Sequence, residues 1–358
     1  MGVDDGALTS RLTRAELADH HVSWAQGKDY PMIIREDGGR AQGVLFRDVS
    51  EDEKSRLRYY EGAFSYELEI VQVTTDRELE QAVCFYPMTN NDVRGDDWHL
   101  ADWVNKWGAL AVGTARDVMA RADQYDAKTV AGWRPFLMAR HWARALAKDG
   151  TPSTVRRDAK PGDVTVQERL PGFNGFFETA AFRFDHVRFD GSRSPSVMRE
   201  TFLAFDAALV LPYDPKTDHV LLIEQLRFGP LWREDPNPWV FEPIAGLVDA
   251  GEAPEDAARR EAVEEAGLSL GPLEHIAKVY ASPGYSTEFF HCYLGVTDLS
   301  SFTASESGLA SEHEDIRSHV LSFERVMQLV STGEVNAGPL VMMLYWLASQ
   351  RARLRSVA

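Results

Sequence analysis

Cysteine is scarce: two thiols, Cys84 and Cys292, stand far apart among 358 residues. So sparse a pair gives no disulfide framework and points to a reducing compartment, the cytoplasm. No run of about 20 apolar residues occurs, which excludes a membrane-spanning helix. Basic residues are in short supply, 38 lysines and arginines against 55 aspartates and glutamates, for a net charge of −17. That balance argues against a binder of duplex nucleic acid, which must neutralise phosphates. An acidic enzyme can still take a phosphorylated small molecule if metal ions and a few arginines reverse the sign locally. The first six residues carry neither the basic stretch nor the apolar core of a signal peptide, and Gly6 stands where a myristoylation signal wants Ser or Thr. Internal repeats and low-complexity tracts are absent as well. What remains is a 44% hydrophobic, 11% aromatic chain, rich enough for packed cores and long enough for two domains.

The densest chemistry lies in residues 246–268. Pro254 suits the first turn of a helix, where its missing N–H costs nothing, and Gly267 suits the left-handed position just past a helix end. Between them Glu261, Glu264 and Glu265 share one helix face. A like-charged pair such as Glu261/Glu265 costs a helix roughly 0.2–0.5 kcal/mol, and Arg260 can pair with Glu264 without neutralising the face. So poorly compensated a face suggests a hard cation such as Mg²⁺, held through carboxylate oxygens. The competing reading is a solvated charged face. The spacing decides. Gly246, Glu252, Arg260, Glu261, Glu264, Glu265 and Gly267 follow G-x5-E-x7-R-E-U-x-E-E-x-G-U, with U bulky and apolar. A chance match in this chain has odds on the order of 10⁻⁶ at ~6–7% per fixed residue. The stretch resembles the Nudix box of hydrolases that cleave a nucleoside diphosphate linked to another moiety. Ala262 departs from it, standing where a larger aliphatic residue is usual.

In the first half, residues 1–21 read as one polar, partly helical segment. Tyr30–Ile34, Gly43–Phe46, Tyr66–Val73 and Ala82–Tyr86 are short apolar or alternating runs, the pattern of a small mixed or antiparallel sheet. Ser50–Tyr60 reads as a helix, with Ser50 as N-cap and Glu53 completing a capping box. It delivers the chain to Tyr59-Tyr60-Glu61-Gly62. This order resembles the gamma-glutamylcyclotransferase-like fold, a small mixed β-barrel/α domain, over about residues 20–90. The resemblance implies that Glu61 is a general acid/base. The family's first-strand motif Tyr-Gly-x-Leu does not occur before Val22, and the plainer reading of Glu61 is a turn carboxylate. From Trp98 to Ala147 the spacing of Trp98, Trp103, Trp107, Leu110, Trp133, Leu137 and Trp142 predicts helices whose aromatic residues serve packing rather than base stacking. Lys148–Gly162, rich in Pro, Gly and polar residues, reads as a linker. We therefore expect a gamma-glutamylcyclotransferase-like domain with a helical extension over 1–147, a linker over 148–165 and a Nudix domain over 166–358.

In the second half, Phe176–Arg188 and Val197–Leu211 read as strands. Ala208–Asp214 and Val220–Arg227 make a strand, turn and strand about Asp214-Pro-Lys-Thr-Asp218. Trp239–Ala245 leads into the box. Strands flanking one helix make an α/β/α sandwich with a mixed sheet plausible, as the Nudix resemblance also implies, within an α/β chain of two domains. Pro283 stands 15 residues beyond Leu268, an offset that resembles the ADP-ribose pyrophosphatase group of Nudix enzymes. Gly308–Arg317 resembles that group's acidic loop, Ser322–Ala348 its C-terminal helical region, and the strands near 174–203 the segment it exchanges across a dimer. The likeness covers about residues 167–350. The fusion of the two halves resembles bacterial proteins labelled for tellurite resistance, a phenotype that supplies no chemistry.

The resemblance implies a homodimeric, cytoplasmic enzyme that hydrolyses ADP-ribose to AMP and ribose 5-phosphate with Mg²⁺, Mn²⁺ serving as a substitute. It implies Glu261 and Glu265 as first metal ligands, assisted by Glu264, the carbonyl of Ala245 and Glu314. Glu312 is the implied base, and Arg260 orients the carboxylates. Arg227 and Glu288 match positions that contact the terminal ribose and phosphates, and Arg199 matches one lent by the partner subunit. Gly246 and Pro283 complete the substrate-binding set. For Arg199, Arg227 and Glu288 the plain alternative is a surface salt bridge; for residues 312–315 it is a solvated acidic loop. Two other functions stay open: cleavage of another nucleoside diphosphate, such as a nucleotide sugar, and a non-hydrolytic ADP-ribose sensor. The intact Glu261, Glu264 and Glu265 argue against the sensor. The zinc cysteines common in NADH-specific relatives are missing.

Overall fold

In the computed structural model, residues 8–62, 66–76, 78–87, 93–303, 306–307 and 315–357 are described. The chain divides into two compact units, residues 1–141 and 142–358.

The first unit is built on β1 (Leu12–Ala25), β2 (Pro31–Phe46), β3 (Tyr66–Thr75), β4 (Leu79–Pro87) and β5 (Arg94–Asp97). Hydrogen bonds run in the order β2-β1-β3-β4, with β5 on β1, and among the described residues the path stays open. β1 overturns the expectation of a partly helical segment before Val22. Its Leu, Ala and Glu are good helix formers, but pairing with β2 from Leu12↔Phe46 to Trp24↔Pro31 prevails over that preference. The alternation that would have betrayed the strand is interrupted at Asp19. There φ is 56°, the register shifts, and the carboxylate accepts from Gly38 N at 2.9 Å. The two runs expected at Tyr30–Ile34 and Gly43–Phe46 are one long strand, β2.

α1 (Glu51–Glu61) starts as expected: Ser50 Oγ accepts from Glu53 N, and the Glu53 carboxylate reaches back to Ser50 N. After it come α2 (Leu100–Trp103), a π-helical turn (Val104–Gly108), α3 (Ala109–Met119) and α4 (Ala127–Leu146). Their aromatic residues pack. Trp107 is buried, Trp103 Nε1 donates to the Asp29 carbonyl at 2.8 Å, and Trp133 meets Tyr125 edge-on at 4.9 Å.

The second unit opens with a three-stranded antiparallel sheet of β6 (Val164–Asn174), β7 (Glu178–His186) and β8 (Val197–Leu203). The single strand expected at 197–211 is two, because the chain leaves this sheet after Leu203 and joins another at Asp206. That second sheet is mixed and eight-stranded, in the order β13-β14-β9-β10-β16-β15. Its members are β9 (Asp206–Asp214), β10 (His219–Leu226), β11 (Trp239–Glu242), β12 (Ile244–Leu247), β13 (Leu273–Tyr280), β14 (Phe289–Val296), β15 (Glu306–Ser307) and β16 (Ile316–Ser322). β9 and β10 pair only at Asp214–His219 and Tyr213–Val220, then part; β12 lines β9 and β11 lines β10 beyond that fork.

Alternate residues of β9 and β10 go to opposite layers. Ala208, Val210, Leu221 and Ile223 pack with Ala257, Ala258, Ala262 and Ala266 of α6 (Pro254–Ala266); a shorter α5 (Phe228–Trp232) precedes it. Leu209, Leu211, Val220 and Leu222 pack with α7 (Phe323–Thr332) and α8 (Gly338–Ser356). Helices on both faces of one mixed sheet make the expected α/β/α sandwich. Ala262, the departure from the signature, is buried in the layer between α6 and the strands. No helix of the described residues is long and apolar enough to cross a membrane.

Candidate active site

α6 carries its carboxylates to the point where β12 ends. The helix begins with Pro254 in its first turn and stops at Gly267, left-handed at φ 60°, whose N–H returns to the carbonyls of Ala262 and Val263. On its exposed side Arg260 gathers three glutamates. Its Nε and Nη2 donate to the two oxygens of Glu252 at 3.0 Å each, and its Nη1 donates to Glu261 at 2.6 Å and Glu264 at 3.0 Å. Nη2 also reaches the Leu247 carbonyl at 2.9 Å. Partial burial works against the charge, but the hydrogen bonds and charges of Glu252 and Glu261 hold this guanidinium above its ordinary value. Arg260 therefore orients the carboxylates. Glu252 closes the loop at the same time, its carboxylate accepting from Asp249 N at 3.1 Å and its carbonyl from Trp142 Nε1 at 3.1 Å.

Two contacts bring the helix against β12. Glu265, 3% exposed, accepts from Ala245 N at 3.0 Å. Gly246 faces Glu261 so closely that a Cβ there would overlap the carboxyl group. Only glycine leaves Glu261 in place.

Ala245, Gly246, Arg260, Glu261, Glu264 and Glu265 thus lie together where α6 meets β12. The donor set is chemically that of a hard cation, three carboxylates and a strand carbonyl. Among the described residues, however, no three acidic, histidine or cysteine side chains converge closely enough to hold an ion as they stand. Arg260 lies among Glu252, Glu261 and Glu264, so the carboxylates have to turn from it toward an ion. Glu312 and Glu314, the expected base and further ligand, lie outside the described residues.

The residues expected on the substrate side lie on β8, just past β10 and between β13 and β14. Arg227, just past β10, donates to Glu242 of β11 at 2.7 Å, a partner the sequence did not suggest. Burial pushes the Glu288 carboxyl up, and the nearby Arg227 offsets part of that rise. Pro283 is exposed in the turn before Glu288. That turn is tied to β8, with Phe202 N donating to Tyr285 O at 2.7 Å and Thr287 N to Phe202 O at 3.0 Å. Arg199, farther back on β8, is exposed and donates to the Met198 carbonyl at 2.8 Å.

In the first unit, Glu61 is the last residue of α1. Burial raises its carboxyl, and Arg134 of α4 works the other way. Arg134 in turn holds Asp29 at 3.1 Å.

The family model of the NUDIX domain matches residues 204–341, and that of gamma-glutamyl cyclotransferase, AIG2-like, matches residues 5–105. The ADP-ribose pyrophosphatase of Escherichia coli (strain K12) is 37% identical over 211 residues, 59% of this chain and 98% of its own length. That of Haemophilus influenzae is 40% identical over 195 residues, 54% of this chain and 89% of its own. The GDP-mannose pyrophosphatase of Escherichia coli O1:K1 / APEC is 30% identical over 182 residues, 51% of this chain and 93% of its own.

Proposed function

The chain belongs to the Nudix hydrolases, with an AIG2-like gamma-glutamyl cyclotransferase domain ahead of the Nudix domain, and we propose that it hydrolyses the diphosphate of ADP-ribose to AMP and ribose 5-phosphate. The observation that carries this reading is the set of carboxylates that Arg260 gathers at the end of β12, with Glu265 buried on the Ala245 N–H.

A diphosphate resists water because its own charge repels the nucleophile. Glu261, Glu264, Glu265 and the Ala245 carbonyl would hold Mg²⁺, or Mn²⁺ in its stead, which when bound offsets that charge and acidifies a water. Arg260 gathers Glu252, Glu261 and Glu264 into one cluster, from which Glu261 and Glu264 would turn to the cation. Gly246 lets the substrate-facing strand lie against Glu261. We assign Glu312 as the base that takes the water's proton and Glu314 as a further ligand. Arg227 and Glu288 face the far phosphate and terminal ribose, Pro283 shapes the turn before Glu288, and Arg199 reaches the site of the partner in a homodimer. In the first unit Glu61 is the candidate acid/base for gamma-glutamyl substrates.

The likeness to a GDP-mannose pyrophosphatase favours one second reading, a preference for another nucleoside diphosphate sugar. Mg²⁺-dependent turnover of ADP-ribose beside GDP-mannose and NADH, for wild type and Glu265→Gln, separates them. We expect AMP release from ADP-ribose to be fastest and to fall about 10²–10³-fold in Glu265→Gln, the scale of losing a major transition-state charge contact. Faster cleavage of GDP-mannose would replace the substrate and keep the chemistry. Binding of ADP-ribose without turnover would make the protein a sensor.

A further inference from the structure

Two buried ionisable side chains of the second unit have no part in the site described so far. Asp206 begins β9 and His291 lies in β14, 6% and 4% exposed. They meet at 2.8 Å, His291 Nε2 against Asp206 Oδ2. The parallel register sets His291 beside Ala208, which packs with α6, so the pair lies on the sheet face that α6 covers. A buried polar pair is a costly way to fill a core that apolar residues could fill. Its place in the chain supplies a reason for it.

Asp206 is a junction. Its carbonyl accepts from Val248 N at 3.0 Å, where β12 gives way to the signature loop. From there the hydrogen bonds are continuous: Asp249 N to Glu252, Glu252 to Arg260, and Arg260 to Glu261, at 3.1, 3.0 and 2.6 Å. On its other side, two residues back, Ala204 N donates to Thr287 Oγ1 at 2.8 Å, and Phe202 holds Tyr285 and Thr287. One short segment, residues 202–206, thus grips both the signature loop and the turn that carries Pro283.

We infer that Asp206–His291 is a positioning pair for the diphosphatase site: it locks the start of β9, and thereby the point from which the signature loop presents Glu252 and Arg260 to Glu261. The inference rests on the function proposed above for that site. A merely structural pair would lower stability alone. A positioning pair changes cation affinity and kcat in molecules that remain folded.

The test uses the full chain as wild type, His291→Leu, His291→Gln, Asp206→Asn and Thr287→Val. Mn²⁺ binding without substrate is read by calorimetry, kcat and KM on ADP-ribose, and the thermal transition of each variant. Folded His291→Leu should bind Mn²⁺ about 10-fold more weakly and lose kcat by a similar factor, the lower end of the range for residues that orient metal ligands. Its KM should stay within about twofold. His291→Gln, whose amide nitrogen can stand where Nε2 stood, should recover most of both. Thr287→Val, which loses only the grip on the Pro283 turn, should raise KM and leave Mn²⁺ affinity alone. The inference is overturned if His291→Leu merely melts earlier while its Mn²⁺ affinity and kcat per folded molecule match wild type, or if His291→Gln does no better than His291→Leu. Should His291→Leu not fold, Asp206→Asn decides, since unchanged Mn²⁺ affinity in that near-isosteric variant overturns the inference too. A wild type that binds Mn²⁺ but leaves ADP-ribose intact would sink the proposed activity, and the Mn²⁺ affinities of the variants would still judge the pair.

Discussion

The two units build their sheets from different material. In the second unit, β9 and β10 are covered by helices on both faces, and both sets of alternate residues are apolar. In the first, strands mix buried Ala15, Ala41 and Val73 with exposed Val44, Leu68, Ile70 and Val83, and α1 contributes no buried residue. Two-sided burial makes a rigid platform, and the second unit places its chemistry on it: β12 and α6 meet at Ala245, Gly246 and Glu265. One-sided burial leaves a sheet held largely by its ladders and by charge pairs such as Arg11–Glu53 and Arg47–Glu80. Positions in the two units should therefore respond differently to the same kind of change.

The sharpest contrast lies at Gly246. A single methyl group there collides with the Glu261 carboxyl, so Gly246→Ala should cost at least about 10²-fold in kcat, the scale of a displacement near 1 Å at a reacting centre. Because Glu261 can swing outward, the thermal transition should move little. A kcat within a few fold of wild type would show that Glu261 need not lie against β12.

Core truncation tests the platform itself. Leu222, 0% exposed between β10 and the α7/α8 layer, should lose about 2–5 kcal/mol as Leu222→Ala. Ile70, 70% exposed on β3, should lose no more than about 0.5 kcal/mol as Ile70→Ala. Denaturant unfolding of both variants checks the pair. A large loss at Ile70 would mean that the exposed face of the first sheet is covered in solution.

The same contrast governs how much could be read beforehand. The signature helix was legible to the residue, because Pro254 and Gly267 act through local backbone physics and the glutamates through a 3.6-residue repeat. The capping box of α1 was legible for the same reason. Strands β9 and β10 showed as apolar runs because both of their faces are buried. β1 did not show: the bulge at Asp19 breaks its alternation, and the pairing with β2 that makes it a strand is not local. The division of 197–211 between two sheets was hidden too, since Ala204 and Phe205 are as apolar as the residues around them. Pairings across strands left the faintest trace. Glu242 stands opposite Ile223 and turns to Arg227, and nothing in either stretch announces the other. His291, polar in the middle of Phe-Phe-His-Cys-Tyr-Leu, was the one available sign of the Asp206 pair.

The smallest effect belongs to the first unit's charge pairs, and pH isolates it. Glu53 accepts from both Arg11 nitrogens at 2.8 Å and from Ser50 N at 2.9 Å, and Arg11 above all, then the Ser50 N–H, holds its carboxyl down at about 2. In the unfolded chain the same group titrates near its ordinary 4.5. A folded value below the unfolded one means that the stabilisation is fully present above about 4.5 and fades as pH falls toward 2. Glu53→Gln should therefore lower the first unit's stability slightly at neutral pH, and its difference from wild type should vanish as pH falls through that window. Far-ultraviolet circular dichroism during an acid titration of both proteins reads the difference. Coincident limbs would mean that Arg11 and Glu53 do not hold β1 to α1, and that the first sheet relies on its ladders alone.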